Sequence, residues 1–227
     1  LLDNTGMADG SDMQRWTARL RGDYQAKKWL KVGANMAYTH FYWSNGNSGE
    51  GEDTSTANIF AFASGMAPIY PVYIRDEKGN IMVDEHGYQM YDYGNGMNGD
   101  STRPYMMNSN ALQASVLDKN NSEGNALSAQ GFMDATLAKG LTFTVNASTT
   151  LAETRSNVVY NPYYGQFRTT GGTVSVGHSR SYAWNTQQLL NYQRKFGNHN
   201  VGVLLGHEYY SNRYYDVGAG KSQMFSQ

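Results

Sequence analysis

The sequence predicts an all-β chain, a segment of an antiparallel transmembrane β-barrel with long outer loops and one short loop helix. Three observations predict it. Apolar and polar residues alternate with period two over several strand-length stretches. Aromatic residues stand at both ends of the apolar rows. Short turns alternate with long connections along the chain.

Composition points the same way. Hydrophobic residues make up 40% of the 227 and charged residues only 16%, where soluble domains carry about 25% charge. Glycine (25), tyrosine (18) and methionine (11) are abundant and proline is scarce (4). Mean hydropathy is still −0.62, because Asn, Ser, Thr, Gln and Gly supply polarity without charge. A helical span needs about 20 consecutive apolar residues, and no such run occurs. Barrel strands need none, since they alternate an apolar outward face with a polar inward one. A net charge of −1 and a pI near 6.6 leave no basic stripe, so no nucleic-acid partner is expected. The absence of cysteine excludes disulfide frameworks and thiolate metal sites. The chain opens Leu1-Leu2-Asp3, without an initiator methionine or a charged-then-apolar leader, and is read as the middle of a longer protein.

The first hairpin is the cleanest. Trp16, Ala18, Leu20, Gly22 and Tyr24 alternate with Arg15, Thr17, Arg19, Arg21 and Asp23. After a turn at 25–28, Leu30, Val32, Ala34, Met36 and Tyr38 alternate with Lys31, Gly33, Asn35, Ala37 and Thr39. A second hairpin turns at Lys139-Gly140. Leu127, Ala129, Gly131, Met133, Ala135 and Leu137 face one way before it, and Leu141, Phe143, Val145, Ala147 and Leu151 after it. A third is expected from Tyr182, Trp184, Thr186, Leu190 and Tyr192, through a turn at 194–199, to Val201, Val203 and Leu205.

A soluble β-sandwich also alternates, so the membrane reading rests on further features. The pairs Trp16/Tyr24, Trp29/Tyr38 and Trp184/Tyr192 bracket the apolar rows. Eight residues rise roughly 26 Å along a strand, or about 20 Å when tilted by about 40°, close to an outer-membrane apolar band. The opposite rows carry Arg, Asp, Asn, Gln and Thr, which a dry sandwich core could not bury unpaired. The turns at 25–28, 139–140 and 194–199 are short, and the connections at 43–122 and 152–180 are long. About six membrane strands are expected over residues 1–227, too few to close a barrel, whose smallest bacterial form has about eight. The rest is expected in flanking sequence.

Residues 43–122 are expected to form a long extracellular loop. Thr54 or Ser55 would cap a short helix with Ile59, Phe62, Ala63 and Met66 on one face, stopped by Gly65 and Pro68. Pro71 to Arg75 and Ile81 to Asp84 read as a small hairpin about the turn 76–80, with a second turn at 84–87. Carboxylates beside glycine in both turns suggest calcium, but EF-hand spacing is absent and turn chemistry accounts for them. The five histidines show no HxxxH or HExxH spacing, and no GxSxG, phosphate-binding loop or paired-carboxylate signature occurs. No catalytic residue, metal or cofactor is expected.

Two sets of candidate residues follow. Arg19, Arg21, Lys31, Asn35, Gln130, Asp134, Thr144 and Asn146 share the polar rows. They would touch a solute in a wet lumen, or simply form a hydrated wall with pairing between strands. The loop tyrosines Tyr70, Tyr73, Tyr88, Tyr91, Tyr93, Tyr163 and Tyr164 offer large amphipathic rings suited to sugar stacking or a protein lid. Internal packing of the loops is the competing reading.

Several segments, in chain order, resemble SusC/RagA-type TonB-dependent transporters. They are Trp29-Leu30-Lys31-Val32-Gly33-Ala34-Asn35; Met66-Ala67-Pro68-Ile69-Tyr70-Pro71-Val72 with Gly79-Asn80; Asn161-Pro162-Tyr163-Tyr164-Gly165; and Leu189-Leu190-Asn191-Tyr192, followed by Phe196-Gly197-Asn198-His199-Asn200-Val201 and Leu205-Gly206-His207-Glu208. The resemblance implies outer-membrane barrels of about 22 strands with an N-terminal plug, typical of Gram-negative Bacteroidota. It implies import of oligosaccharides, or in some cases peptides, driven through TonB. A SusD-like surface lipoprotein would form a lid, and transporter–lipoprotein pairs would associate as homodimers. This chain would be barrel wall without plug, bathed by the lipid bilayer, and not an enzyme. The alternatives are a RagA-like peptide importer, a passive porin or a surface β-rich binding module.

Overall fold

The computed structural model describes residues 1–7, 10–44, 62, 64–96, 99, 101–163 and 167–224. Seven strands form one antiparallel sheet in chain order. They are β1 (Leu2–Thr5), β2 (Asp12–Lys27), β3 (Leu30–Ser44), β4 (Lys119–Ala138), β5 (Leu141–Tyr160), β6 (Thr173–Phe196) and β7 (His199–Ser222). Every strand pairs with its sequence neighbour, so the sheet is an up-and-down meander. β1 and β7 are its two edges and do not pair, which leaves the sheet open among the described residues.

The expected hairpins are present in the expected register. Ala18 faces Tyr38, Leu20 faces Met36 and Gly22 faces Ala34. Met133 faces Val145, and Leu190 faces Leu205. Antiparallel partners share a face, so the apolar rows join into one face, interrupted on β6 and β7 by Thr186, Gln188, His207 and Ser211, and the polar rows into the other. The turn Lys139–Gly140 needs its glycine, which has φ 83°. A Cβ there would also meet the Gln193 carbonyl at 2.4 Å.

Four expectations are corrected. The sheet has seven strands rather than six, because Leu2–Thr5 adds a short one against Asp12 to Arg15. The strands run much further than their apolar cores, with β6 and β7 reaching 24 residues each. Polar residues beyond the apolar stretch hid this continuation. Consequently the long connections shrink to 45–118 and 161–172, not 43–122 and 152–180. Finally, Trp29 lies in the β2–β3 turn rather than in a strand, where its carbonyl accepts the Thr136 N–H at 2.7 Å. The tight turns thus gather at one end of the sheet and the connections 6–11, 45–118 and 161–172 at the other.

The sheet is a single layer with no second layer on either face among the described residues. Its apolar side chains stay open, Leu20 at 73% and Leu205 at 64%. The enclosed interior lies instead mostly in the long connection, around Ile74, Tyr91, Asp92, Tyr93, Arg103, Ser109, Asn110 and Gln113. One helix, α1 (Ala111–Leu117), ends this connection; the sequence reading missed it. Of the expected helix near 54–66, Phe62, Ser64 and Gly65 are helical, and the Met66 N–H donates to the Phe62 carbonyl. Thr54, Ser55, Ile59 and Ala63 lie outside the described residues.

Candidate functional site

The polar face is a set of cross-strand hydrogen bonds. Lys31 Nζ lies 2.9 Å from Asp23 Oδ2. Asn35 donates to Gln130 at 3.2 Å, Thr144 to Asp134 at 2.6 Å and Asn146 to Gln187 at 3.2 Å. Asn185 donates to Glu208 at 2.7 Å, and Thr17 and Thr39 share a bond of 3.0 Å. Arg19 and Arg21 stand in the same row of β2, and neither enters an ion pair among the described residues. The predicted set therefore does share one face, and much of it is knitted into pairs between neighbouring strands.

Aromatic rings interrupt this polar surface, Trp43, Tyr210 and Tyr214 among them, and two of them lie opposite glycines. Phe132 is the register partner of Gly33, and Phe41 that of Gly124. A Cβ on Gly33 would meet Phe132 at 2.3 Å, and one on Gly124 would meet Phe41 at 2.4 Å. Each ring lies down across the glycine opposite, a pairing known to shield strand glycines.

The apolar face has a sharp upper boundary. One row reads Ala18, Tyr38, Leu127, Leu151, Tyr182 and Arg213 from β2 to β7. The next row away from the tight turns reads Trp16, His40, Asn125, Glu153, Arg180 and Tyr215. Here Asn125 Oδ1 accepts from Tyr38 at 2.6 Å and contacts His40 Nδ1 at 3.0 Å, while its amide donates to Glu153 at 3.1 Å. On β6, Tyr192 and Tyr182 bracket the apolar stretch. Ten residues rise about 33 Å along the strand, or roughly 25 Å in height at a tilt of about 40°, the height of an outer-membrane apolar band.

Above the sheet, the connection 66–118 builds a knob. Residues 72–92 contain both expected turns, at 76–80 and 84–87, and join them in an eight-residue repeat rather than a hairpin followed by a separate turn. Arg75 bridges Ile81, Val83 bridges Gln89 and Tyr73 bridges Tyr91. At the centre three backbone bonds of 2.9 Å close a ring, with Ile74 N–H to Met90, Met82 N–H to Ile74 and Met90 N–H to Met82. The two tips are alike. Asp76 Oδ1 accepts the Lys78 and Asn80 N–H groups, and Asp84 Oδ1 those of His86 and Tyr88. Gly79 and Gly87 both have φ 85°. The Asn80 side chain and these N–H groups hold the Asp76 carboxyl below the usual range.

The knob is locked from beneath. Arg103 is 2% exposed and donates to the Met106 carbonyl at 3.0 Å and the Ser109 carbonyl at 2.7 Å. Asn110 donates to the Val72 and Asp92 carbonyls, each at 2.9 Å, and accepts the Gln113 N–H as the cap of α1. The second loop joins through Asp118, which accepts the Asn161 backbone and side-chain N–H groups at 2.9 and 2.7 Å. Burial nevertheless raises the Asp118 pKa above the usual carboxylate range, although Asn161 opposes it.

The loop tyrosines divide. Tyr91 and Tyr93 are buried in the knob, Tyr93 donates to Gln113, and burial raises both phenol pKa values. Tyr73 packs on Tyr91 at 5.0 Å, and Tyr70 meets Tyr105 edge-on at 6.2 Å. Tyr88 is exposed. Tyr163 stacks near His86 at 5.6 Å, in a cleft of about 460 Å³ between the two loops that also takes in Asp84, Glu85 and Arg168. Tyr164 lies outside the described residues. The inter-loop cleft was not anticipated, because its walls come from segments that a sequence reading treats separately.

The sheet, with its loops, has the fold found in solved transporters. It superposes on a chain of the RagAB peptide importer in the "open-open" state with a TM-score of 0.67 and 22% identity, covering 97% of this chain and 22% of that one. The "closed-closed" state gives 0.64 and 20% over 98% of this chain and 23% of that one. A further RagAB peptide transporter structure gives 0.64 and 20%, over 96% and 22%. This chain thus spans about a fifth of the length of those proteins. No family model matches it, and no curated protein does. At these identities the likeness is one of fold.

Proposed function

We propose that this chain is part of the wall and outer loops of a SusC/RagA-type transporter that imports nutrients across the outer membrane of a Gram-negative bacterium of the Bacteroidota. The largely apolar face of one uncovered sheet carries the reading. An exposed apolar surface of that extent calls for an apolar cover, and its height of about 25 Å suits a bilayer. The polar face then lines a wet lumen. Further strands close the barrel, with 22 in all as the family resemblance implies, and a plug and TonB supply gating and energy. The chain acts as conduit and docking wall rather than as an enzyme.

The knob and the second loop stand where a SusD-like lipoprotein lid would seat, and the neighbours in fold are assemblies named RagAB. For cargo, the family resemblance favours oligosaccharides while those neighbours import peptides, so both classes stand level. Pairs of transporter and lipoprotein are read as dimers.

The test is made on the full-length protein with its native flanks. It should fractionate with the outer membrane, migrate as a heat-modifiable barrel in detergent and co-purify with a lipoprotein. Native mass spectrometry of that complex would then distinguish bound glycan from bound peptide. A full-length protein found soluble and monomeric without detergent would refute the membrane reading and leave a surface β-rich module.

A further inference from the structure

We propose that Arg180 and Arg213 form a docking site on the outside of the wall for the phosphate of a phosphorylated lipid in the outer leaflet. The inference rests on the membrane reading above and concerns a face that import does not use.

The two residues sit on adjacent strands at the upper boundary of the apolar face. Arg213 is the register partner of Tyr182, and Arg180 that of Tyr215. They are therefore diagonal neighbours, about 7–8 Å apart, one in the last apolar row and one in the first polar row. Both are exposed. Together with His178, Tyr182 and Tyr215 they line a cleft of about 520 Å³ on that face.

Charge around the cleft favours an anion from outside. Of the nearby carboxylates, Asp216 also lines the cleft but is the register partner of Ser179, which sets its side chain on the opposite, polar face, and the others are held by other groups. Glu153, across from Arg180, accepts from Asn125 at 3.1 Å and lies 3.8 Å from His178. Glu123 lies 3.7 Å from Arg155. Arg180 and Arg213 have neither ion pair nor hydrogen bond among the described residues.

The height of the cleft selects the source of the anion. Tyr182 and Trp184 lie directly below Arg180 on the same face, followed by the uncharged Thr186 and Gln188 and then by Leu190 and Tyr192. A free phosphate gains nothing from that wall. A lipid places its acyl chains along it and its phosphate at the boundary. Guanidinium groups bind phosphate through two parallel N–H bonds, and Tyr rings suit the interface between the two zones.

The test uses the full-length transporter extracted in mild detergent, with retained phosphorylated lipid counted by native mass spectrometry. Arg180→Gln with Arg213→Gln keeps polarity and approximate volume. Each arginine near an anionic surface contributes about fivefold in affinity, so the pair should lower retention about 25-fold. Arg180→Lys with Arg213→Lys should keep most of it. Equal retention by a glutamine variant that still inserts as a heat-modifiable barrel overturns the site but leaves the membrane reading standing. A wild-type protein absent from the membrane fraction overturns both. Inorganic phosphate added to delipidated protein should bind far more weakly than the lipid. Equal binding would make this a site for free phosphate and overturn the lipid assignment.

Discussion

Replacing Asn110 by alanine should open the knob while leaving the sheet intact. The side chain is 3% exposed and serves three backbone groups at once. Loss of the helix cap costs about 1 kcal/mol. The Asp92 carbonyl loses its amide donor, and an unsatisfied buried acceptor costs about 1–3 kcal/mol. The Val72 carbonyl suffers less, because it still accepts the Asp92 N–H at 3.0 Å. The sum is about 2–4 kcal/mol, confined to the knob. Hydrogen exchange followed by mass spectrometry on the full-length protein reads this locally. Amides of 72–92 and α1 should exchange between about thirtyfold and a thousandfold faster, with β4 to β7 unchanged. Asn110→Asp sharpens the test. It keeps the capping oxygen but sets a carboxylate against two carbonyls, so it should be at least as damaging as alanine. If Asn110→Asp is neutral, or if alanine loosens α1 alone, the bridging role assigned to the amide is wrong.

Gly94 has φ 66°, and a Cβ there would lie 1.9 Å from Arg103 Nε. Gly94→Ala should therefore destabilise the knob by about 3 kcal/mol or more, seen as faster proteolytic nicking between 66 and 118. The pKa of Asp118 is raised by burial, so loop docking is strongest at low pH, where folded and unfolded forms are both protonated. It weakens as pH rises through the folded value. Asp118→Asn retains an oxygen for both Asn161 donors and should remove that pH dependence and slow exchange near Asn161 at neutral pH. The Asp76 pKa is lowered by its turn, giving the opposite sign. That turn should loosen only as acid titrates the carboxylate through its depressed value, visible in the Lys78 and Asn80 amide signals. Gly33→Val should push the Phe132 ring off its partner strand. The expected result is about 1–3 kcal/mol of lost stability and, in a conducting barrel, a narrower pore by single-channel current.

The strands were legible where side chains sort by face. Trp16 to Tyr24, Leu30 to Tyr38 and Leu127 to Leu151 carry the alternation unaided, and their pairing follows because a one-residue slip would reverse every face. The signal stops where both faces become polar. Ser175, His178 and Arg180 on β6, and Arg213 and Asp216 on β7, are strand residues held by backbone pairing, so their composition reads as loop. The aspartate and glycine of each knob tip were legible as turns. The ring joining those turns was not, since Ile74, Met82 and Met90 meet through main-chain groups that any residue but proline supplies. Arg103 and Asn110 escaped notice for a related reason. An arginine and an asparagine in a polar stretch look solvated until the carbonyls they satisfy are brought around them.

The backbone ring at the base of the knob has an evolutionary consequence. Its three bonds ask for nothing from side chains, and each tip asks only for one aspartate and one glycine. Glu77, Lys78 and Glu85 are therefore free to drift, whereas His86 is tied to Tyr163. A lineage can change what those tips present without refolding the element that holds them.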